Sequence, residues 1–210
     1  MEDSAEISPV RVGAELVAAA SRSLAHAMRG YPLMRYFEPR DARHERAVGE
    51  CCRRAVEYGR RYGEVYATSP RAEGAAVWLP PDEARSSIGR MVRAGGWRLP
   101  FAVGPGLVTR FLSFYGELAA RWKRIAPSPH WYLQLLGVDP EHQGQGHAGR
   151  LLESVFRRLD AQHAACCLDT ETPENAVFYE RFGFRVVEHY TIRRSEVDCW
   201  MMMRGASPGR

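Results

Sequence analysis

Apolar residues recur at helical spacing in two stretches near the start of the chain. Residues 14–28 carry one apolar stripe that Gly30 follows, and residues 41–62 carry a second, with arginine and glutamate on the outer face. Spacing of three and four positions is typical of an amphipathic helix packed on a core, and glycine often ends a helix. Both stretches are therefore predicted to be helices.

The pattern then changes to short apolar runs separated by turn residues. Residues 63–68 and 74–79 lie on either side of Ser69-Pro70, which predicts a β-hairpin. Residues 82–124 return to helical spacing twice, around a segment rich in glycine and proline. We interpret the aromatic residues of this region as a helix face packed on the core, with a lid over a substrate as the alternative.

The last third of the chain alternates between strand and helix patterns. Its first run, residues 131–138, is continuously apolar, as in a strand buried within a sheet. Together these patterns predict a mixed α/β protein with a central twisted sheet flanked by helices. We expect one domain over residues 1–210, with a helical insertion at about 82–124. The further predicted elements are a turn at 139–142, a helix beginning between 146 and 149, strands at 165–169, 184–187 and 199–203, and a short helix at 173–182 with Pro173 in its first turn.

Composition and charge exclude several classes of protein. With 45% hydrophobic and 26% charged residues in 210, the chain has the composition of a globular protein, not a disordered one. The net charge of +4 is not gathered into a basic stripe, so no nucleic-acid partner is expected. No apolar run approaches the ~20 residues that span a bilayer. The acidic start of the chain lacks the apolar region of a signal peptide, so a cytoplasmic protein is expected.

The five cysteines indicate neither a disulfide framework nor a metal site. Four of them form two adjacent pairs, Cys51-Cys52 and Cys166-Cys167, and Cys199 stands alone. Neighbouring cysteines have poor geometry for pairing with each other, and no CxxC spacing is present. They are predicted to be reduced and buried.

A glycine-rich segment from Gln143 to Arg150 lies between the predicted strand 131–138 and the helix that follows. Glycine lets the backbone approach a ligand closely, and the free N–H groups of a helix start favour an anion. The spacing Gly144-x-Gly146-x-x-Gly149 fits the dinucleotide fingerprint by letter, but a turn precedes it and only some 60 residues follow. The lysine and the hydroxyl residue of a Walker A loop are missing. A phosphate-binding loop of another kind is therefore expected.

This loop resembles the pyrophosphate loop of the GNAT superfamily of N-acyltransferases. The matching residues are Val138-x-Pro140-x-x-Gln143-Gly144-x-Gly146-x-Ala148-Gly149, and Asn175 to Phe184 resembles the second motif of the same family. Segments such as Tyr31-Pro32-x-x-Arg35 and Ala76-Val77-Trp78-x-x-Pro81 are similar to the puromycin N-acetyltransferase branch. The resemblance implies a GNAT-like fold in which coenzyme A (CoA) enters a V-shaped opening between strands 131–138 and 165–170.

The resemblance also implies an activity, the transfer of an acetyl group from acetyl-CoA to a primary amine of a small molecule by direct attack. An aminonucleoside-like antibiotic as acceptor, and hence antibiotic resistance, follows from the resemblance alone. One alternative is a non-catalytic module that senses acyl-CoA, and another is an enzyme that acetylates protein N-termini or lysines. Whether the protein is a monomer or a homodimer stays open.

The family motifs assign candidate roles to individual residues. Tyr179 matches the general acid near the sulfur, although a buried structural tyrosine is the alternative. Asn175 is expected to contact pantetheine, or to serve the helix start, and Phe178 to pack on the cofactor or on the core. His147 replaces an apolar family residue and either contacts a phosphate or points outward. The expected cofactor-binding residues are Leu136, Gly137, Val138, Gln143, Gly144, Gln145, Gly146, His147, Ala148, Gly149, Asn175, Phe178 and Tyr179.

The general base and the acceptor pocket are less clearly marked. Asp169, Glu171 or a water relay could remove the proton of the amine, and the alternative for either carboxyl is attraction of a cationic substrate or simple solvation. His142 and His147 are five residues apart without a further ligand at metal-binding spacing, so no metal is expected. Candidates for the pocket wall are Trp78, His130 and Trp131, with core packing as the alternative.

Overall fold

In the computed structural model, which describes residues 8–38, 40–81, 104–126, 129–193 and 195–205, seven strands form one mixed sheet. Their order is β1-β2-β3-β4-β5-β7-β6. Neighbours are antiparallel except β4 and β5, which are parallel. The strands are β1 (Val10–Arg11), β2 (Glu64–Ala67), β3 (Gly74–Leu79), β4 (His130–Val138), β5 (Ala165–Thr170), β6 (Arg185–Thr191) and β7 (Asp198–Arg204).

Helices cover both faces of this sheet. One core cluster joins α1, α3 and α4 to one face, and a second joins α5 and α6 to the other. All six residues of β3 are buried, as expected for a central strand covered on both sides. The helices are α1 (Val17–Met28), α2 (Pro32–Phe37), α3 (Asp41–Tyr62), α4 (Pro105–Ile125), α5 (His147–Ala161) and α6 (Pro173–Glu180), with 3-10 turns at Ala14–Leu16 and Pro140–His142.

A close approach between α1 and β4 brings the first helix to the edge of the later site. A Cβ atom added at Gly137 would lie 2.8 Å from the Cβ of Ala27 and 3.1 Å from Cδ2 of Leu24. Real Cβ atoms are not found that close to another carbon, so glycine is required at this point of the strand. The contact places the end of α1 beside the carboxyl end of β4.

The predicted elements that the structure describes are confirmed, whereas β1 and α2 are elements that the sequence patterns did not predict. The helices at 14–28 and 41–62, the hairpin and the later strands and helices are all present. β6 extends to Thr191, beyond the predicted end at 187. The last residues of the strand are mostly polar, so the apolar pattern in the sequence stops before the strand does, although these residues still pair with β7. The first helix predicted within 82–124 lies outside the described residues, whereas the second corresponds to α4.

Two expectations from composition can also be compared with the structure. All five cysteines are unpaired, and four of them are buried. Of the helices that the structure describes, every one is too short or too polar to cross a bilayer.

Candidate functional site

The parallel strands β4 and β5 separate part of the way along the sheet. They pair only at His130 with Ala165, Trp131 with Cys166 and Tyr132 with Cys167. β4 continues to Val138 while still paired with β3 on its other side. The remaining length of β4 is therefore not paired with β5 and borders a gap in the sheet.

A cavity of about 740 Å³ lies at this gap. It is bordered by the end of β4, the glycine-rich loop, the start of α5 and one side of α6, with Ala27, Met28 and Tyr31 at the end of α1 and beyond it. Twelve of the thirteen residues expected to bind the cofactor border it, and exposed Gln145 does not. The twelve are Leu136, Gly137, Val138, Gln143, Gly144, Gly146, His147, Ala148, Gly149, Asn175, Phe178 and Tyr179.

The glycine-rich loop borders the cavity at the start of α5. Gly144 and Gly146 have φ angles of +75° and +76°, a conformation that only glycine adopts without strain. Gly146 is the N-cap of α5 and has no side chain to bond the first N–H groups of the helix. Gln143 donates from its Nε2 to the carbonyl of Val138 at 3.1 Å, which ties the loop to β4. The loop thus forms a concavity at the positive end of a helix dipole, a position that favours negative charge.

His147 is held as a neutral imidazole beside this concavity. The guanidinium of Arg150 donates to its Nδ1 at 2.9 Å, so the ring proton lies on Nε2. Desolvation lowers the pKa of His147, and the charge of Arg150 lowers it further. His147 can therefore donate one hydrogen bond from Nε2 without carrying a charge.

Tyr179 borders the cavity from α6. Its ring packs edge-on against Phe178 and Phe184, with centroids 5.3 Å and 5.8 Å apart. Burial raises the pKa of Tyr179, and the nearby carboxyls of Glu171 and Asp169 raise it further. The phenol keeps its proton at neutral pH and is available as a donor.

Asp169 and Glu171 lie on one face of the end of β5, on the side of the sheet that carries α1 and α4. A carboxyl oxygen of each, together with the sulfur of Cys199, falls within a span of 4.8 Å. The hydroxyl of Tyr132 donates to Oδ1 of Asp169. The hydroxyl of Tyr31 accepts the backbone N–H of Glu171 at 2.9 Å.

These tyrosines were not identified from the sequence as parts of a site. Tyr31 is separated from Glu171 by 140 positions, and only the fold brings them together. Tyr115 of α4 also lies near the pair. Burial is the largest cause of the raised pKa of its phenol, and the charges of Asp169 and Glu171 raise that pKa further. Tyr31 did carry a signal, since it belongs to a segment that matches the puromycin N-acetyltransferase branch.

The three residues expected to wall an acceptor pocket do not border the 740 Å³ cavity. Trp78 is completely buried and packs edge-on against Phe156 of α5. Trp131 lies under the guanidinium of Arg158, 4.8 Å from its ring centroid. His130 is buried near Trp122 of α4. The structure thus places both tryptophans in packing positions on the α5 side of the sheet.

Part of the chain matches a known protein family. Residues 111–186 match the family model of the acetyltransferase (GNAT) domain. An uncharacterized N-acetyltransferase from Schizosaccharomyces pombe is 28% identical over 115 residues, which are 53% of this chain and 47% of that protein. The chain therefore spans about half the length of this curated relative.

Solved structures share the fold over nearly the whole chain. A Corynebacterium glutamicum protein described as a histone acetyltransferase HPA2 and related acetyltransferase has a TM-score of 0.67 at 18% identity, covering 97% of this chain and 98% of its own. A polyamine N-acetyltransferase from Drosophila melanogaster that forms N-acetylagmatine has a TM-score of 0.52 at 17% identity, covering 90% and 96%. The fold is that of the GNAT acetyltransferases, as the sequence motifs predicted.

Proposed function

We propose that the protein transfers an acetyl group from acetyl-CoA to a primary amine of a small molecule. The observation that carries this proposal is the cavity at the gap between β4 and β5, which is bordered both by the glycine-rich loop and by a proton donor, Tyr179. The match of residues 111–186 to the acetyltransferase domain supports it. Tyr31 borders the cavity, and its hydroxyl accepts the backbone N–H of Glu171 at 2.9 Å, so the acidic pair lies next to the cavity.

The residues around the cavity fit acetyl-CoA chemically. The backbone N–H groups of the loop and the start of α5 would hold the pyrophosphate, and a Cβ at Gly144 would meet open space. The backbone of Leu136 and Val138, at the open edge of β4, would pair with the pantetheine amides as a neighbouring strand would. Asn175 and Phe178 would contact the same arm. Acetyl-CoA supplies the acetyl group as a thioester.

The proposed chemistry uses groups on both sides of the gap. Tyr179 would protonate the sulfur that leaves when the amine attacks, since its phenol holds its proton at neutral pH. A carboxyl of the Asp169 and Glu171 pair would accept the proton of the attacking amine. Bringing these groups and both substrates together supplies much of the rate enhancement through positioning.

Replacing His147 by leucine is expected to weaken acetyl-CoA binding about tenfold, because a hydrogen bond to a charged group contributes ~1.5–3 kcal/mol. The His147→Gln variant keeps a donor and should recover most of the affinity. Titration calorimetry with acetyl-CoA measures both. Equal affinity of wild type and His147→Leu would show that this imidazole does not contact the cofactor.

The resemblances supply the acceptors to be tested. The resemblance to the puromycin N-acetyltransferase branch suggests testing an aminonucleoside. The Drosophila neighbour suggests agmatine and a polyamine, and the Corynebacterium neighbour, described as a histone acetyltransferase, suggests a lysine peptide. An acyl-CoA sensor, the alternative without catalysis, would act on none of them.

A thiol-release assay with acetyl-CoA tests the proposal. The panel contains agmatine, putrescine, puromycin, free amino acids, a lysine peptide and a control without acceptor. Thiol release with a small amine that exceeds the control is the expected result. Release with the peptide alone would instead indicate a protein acetyltransferase. Silence across the panel, with calorimetry still showing bound acetyl-CoA, would favour the sensor.

A further inference from the structure

The carboxyls of Asp169 and Glu171 form a buried acidic pair, and no lysine, arginine or histidine of the described chain is among the main causes of their raised pKa values. Glu171 is only 6% exposed and Asp169 is partly buried. Among the described residues, the groups whose pKa values the pair raises are tyrosines and cysteines. They are Tyr31, Tyr115 of α4, Tyr132 of β4, Cys167 of β5, Tyr179 of α6, Tyr190 of β6 and Cys199 of β7.

Two carboxylates this close, and this far from water, cannot both ionise in the free protein, so they share one proton. Burial raises the pKa of both carboxyls, and the neighbouring Asp169 raises that of Glu171 further. The hydroxyl of Tyr132 donates to Asp169 and stabilises its ionised form. Glu171 therefore holds the proton, and Asp169 holds the negative charge.

Glu171 also has an unsatisfied hydrogen-bond acceptor. Its Oε1 is buried and finds no hydrogen-bond partner among the described residues. Leaving a buried acceptor unpaired is unfavourable, and an ammonium group offers three donors together with a positive charge. Both the missing charge and the missing donor are what a bound ammonium ion supplies.

We propose that Asp169 and Glu171 receive the acceptor as its ammonium ion, which replaces the shared proton. The inference rests on the proposed acetyl transfer, and it specifies the acceptor as an amine that carries no carboxylate beside the reacting nitrogen. Aliphatic monoamines, diamines and amines with a distant guanidinium fit this description. An α-amino acid would bring a third negative charge next to the pair and is disfavoured by repulsion.

The protons balance in this scheme. Binding of the ammonium ion releases the shared proton to solvent and leaves both carboxyls ionised. The nitrogen then gives one proton to Asp169 and a second to Glu171 as the C–N bond forms and the C–S bond breaks. The departing sulfur takes the proton of Tyr179, which Glu171 restores. The pair returns to the single proton of the free protein, and one proton is released per turnover.

Matched acceptors test the proposal. Agmatine and arginine differ by one carboxylate beside their only primary amine, as do butylamine and norvaline. The amine without the carboxylate is expected to have a kcat/KM at least tenfold higher in both pairs, measured by thiol release. Equal or reversed ratios would overturn the inference while leaving the acetyltransferase function standing. Transfer to α-amino groups of free amino acids alone would do the same.

The variant Glu171→Gln tests the carboxyl itself, with Glu180→Gln at an exposed position as the control. Loss of one negative charge should raise the KM for the preferred amine at least tenfold and shrink its advantage over the carboxylate-bearing partner. Acetyl-CoA affinity should stay unchanged. An unchanged KM for the amine would contradict the proposal.

A measurement that needs no turnover separates this inference from the proposed function. In carbon-13 NMR of the labelled carboxyls, one carboxyl of the free protein should remain protonated at pH 7, and Glu171→Gln should remove that signal. Two ionised carboxyls at pH 7 would overturn the inference even if acetyl transfer is observed. Absence of transfer to every acceptor would overturn the proposed function, whatever the carboxyl signals show.

Discussion

The Gly146→Asp variant is expected to lose acetyl-CoA binding by at least ~100-fold. A carboxylate at this position would stand where the loop is proposed to hold the pyrophosphate. Two like charges about 4 Å apart repel by ~4 kcal/mol at an effective permittivity of 20, which is close to a thousandfold in affinity. A Cβ at this position would also lie 3.3 Å from a guanidinium nitrogen of Arg150.

The fold itself should tolerate this change. Gly146 is the N-cap of α5, a position at which aspartate and asparagine are both favoured. The left-handed φ of +76° costs these two residues less than most others. The matched control is therefore Gly146→Asn, which has the same shape without the charge and should lose much less affinity. Calorimetry gives the affinities and denaturant unfolding gives the stabilities, and full affinity in a folded Gly146→Asp would contradict the placement of the pyrophosphate.

The second large effect is expected at Tyr179. Its replacement by phenylalanine should lower kcat by ~10²-fold or more, the usual contribution of a general acid. Affinity for acetyl-CoA should change little, because the ring keeps its packing against Phe178 and Phe184. A loss in kcat with little change in binding identifies an interaction made in the transition state.

A tyrosine away from the gap provides the control for that variant. The hydroxyl of Tyr66, on β2, donates to Glu64 at 3.3 Å, and Tyr66→Phe should leave kcat unchanged. Steady-state kinetics at saturating acetyl-CoA and amine compares the two variants. If Tyr179→Phe turns over as fast as wild type, the proton of the leaving sulfur comes from elsewhere.

Much of the fold follows from local patterns in the sequence. Helical spacing in residues 41–62 and the continuous apolar run at 131–138 each point to one kind of element, and both are present in the structure. These patterns predict their elements correctly because each depends only on one helix or strand and on the residues that pack against it.

The parts of the site that sequence could not supply depend on contacts between distant elements. Trp78 lies in a run of six buried residues without alternation, so the pattern gives no indication of which side of the sheet it faces. The five tyrosines around the acidic pair come from five separate regions of the chain, and only the fold brings them together. Similarly, exposed Gln145 matches the loop motif but does not border the cavity.

Mass spectrometry of the reaction products would test the central claim most directly. The protein is incubated with acetyl-CoA that carries a deuterated acetyl group and with the small amines of the panel. The account predicts a labelled N-acetylated amine, whose formation is strongly reduced in Gly146→Asp and in Tyr179→Phe. Label that remains on CoA with every small amine, while the protein still binds acetyl-CoA, would contradict the account.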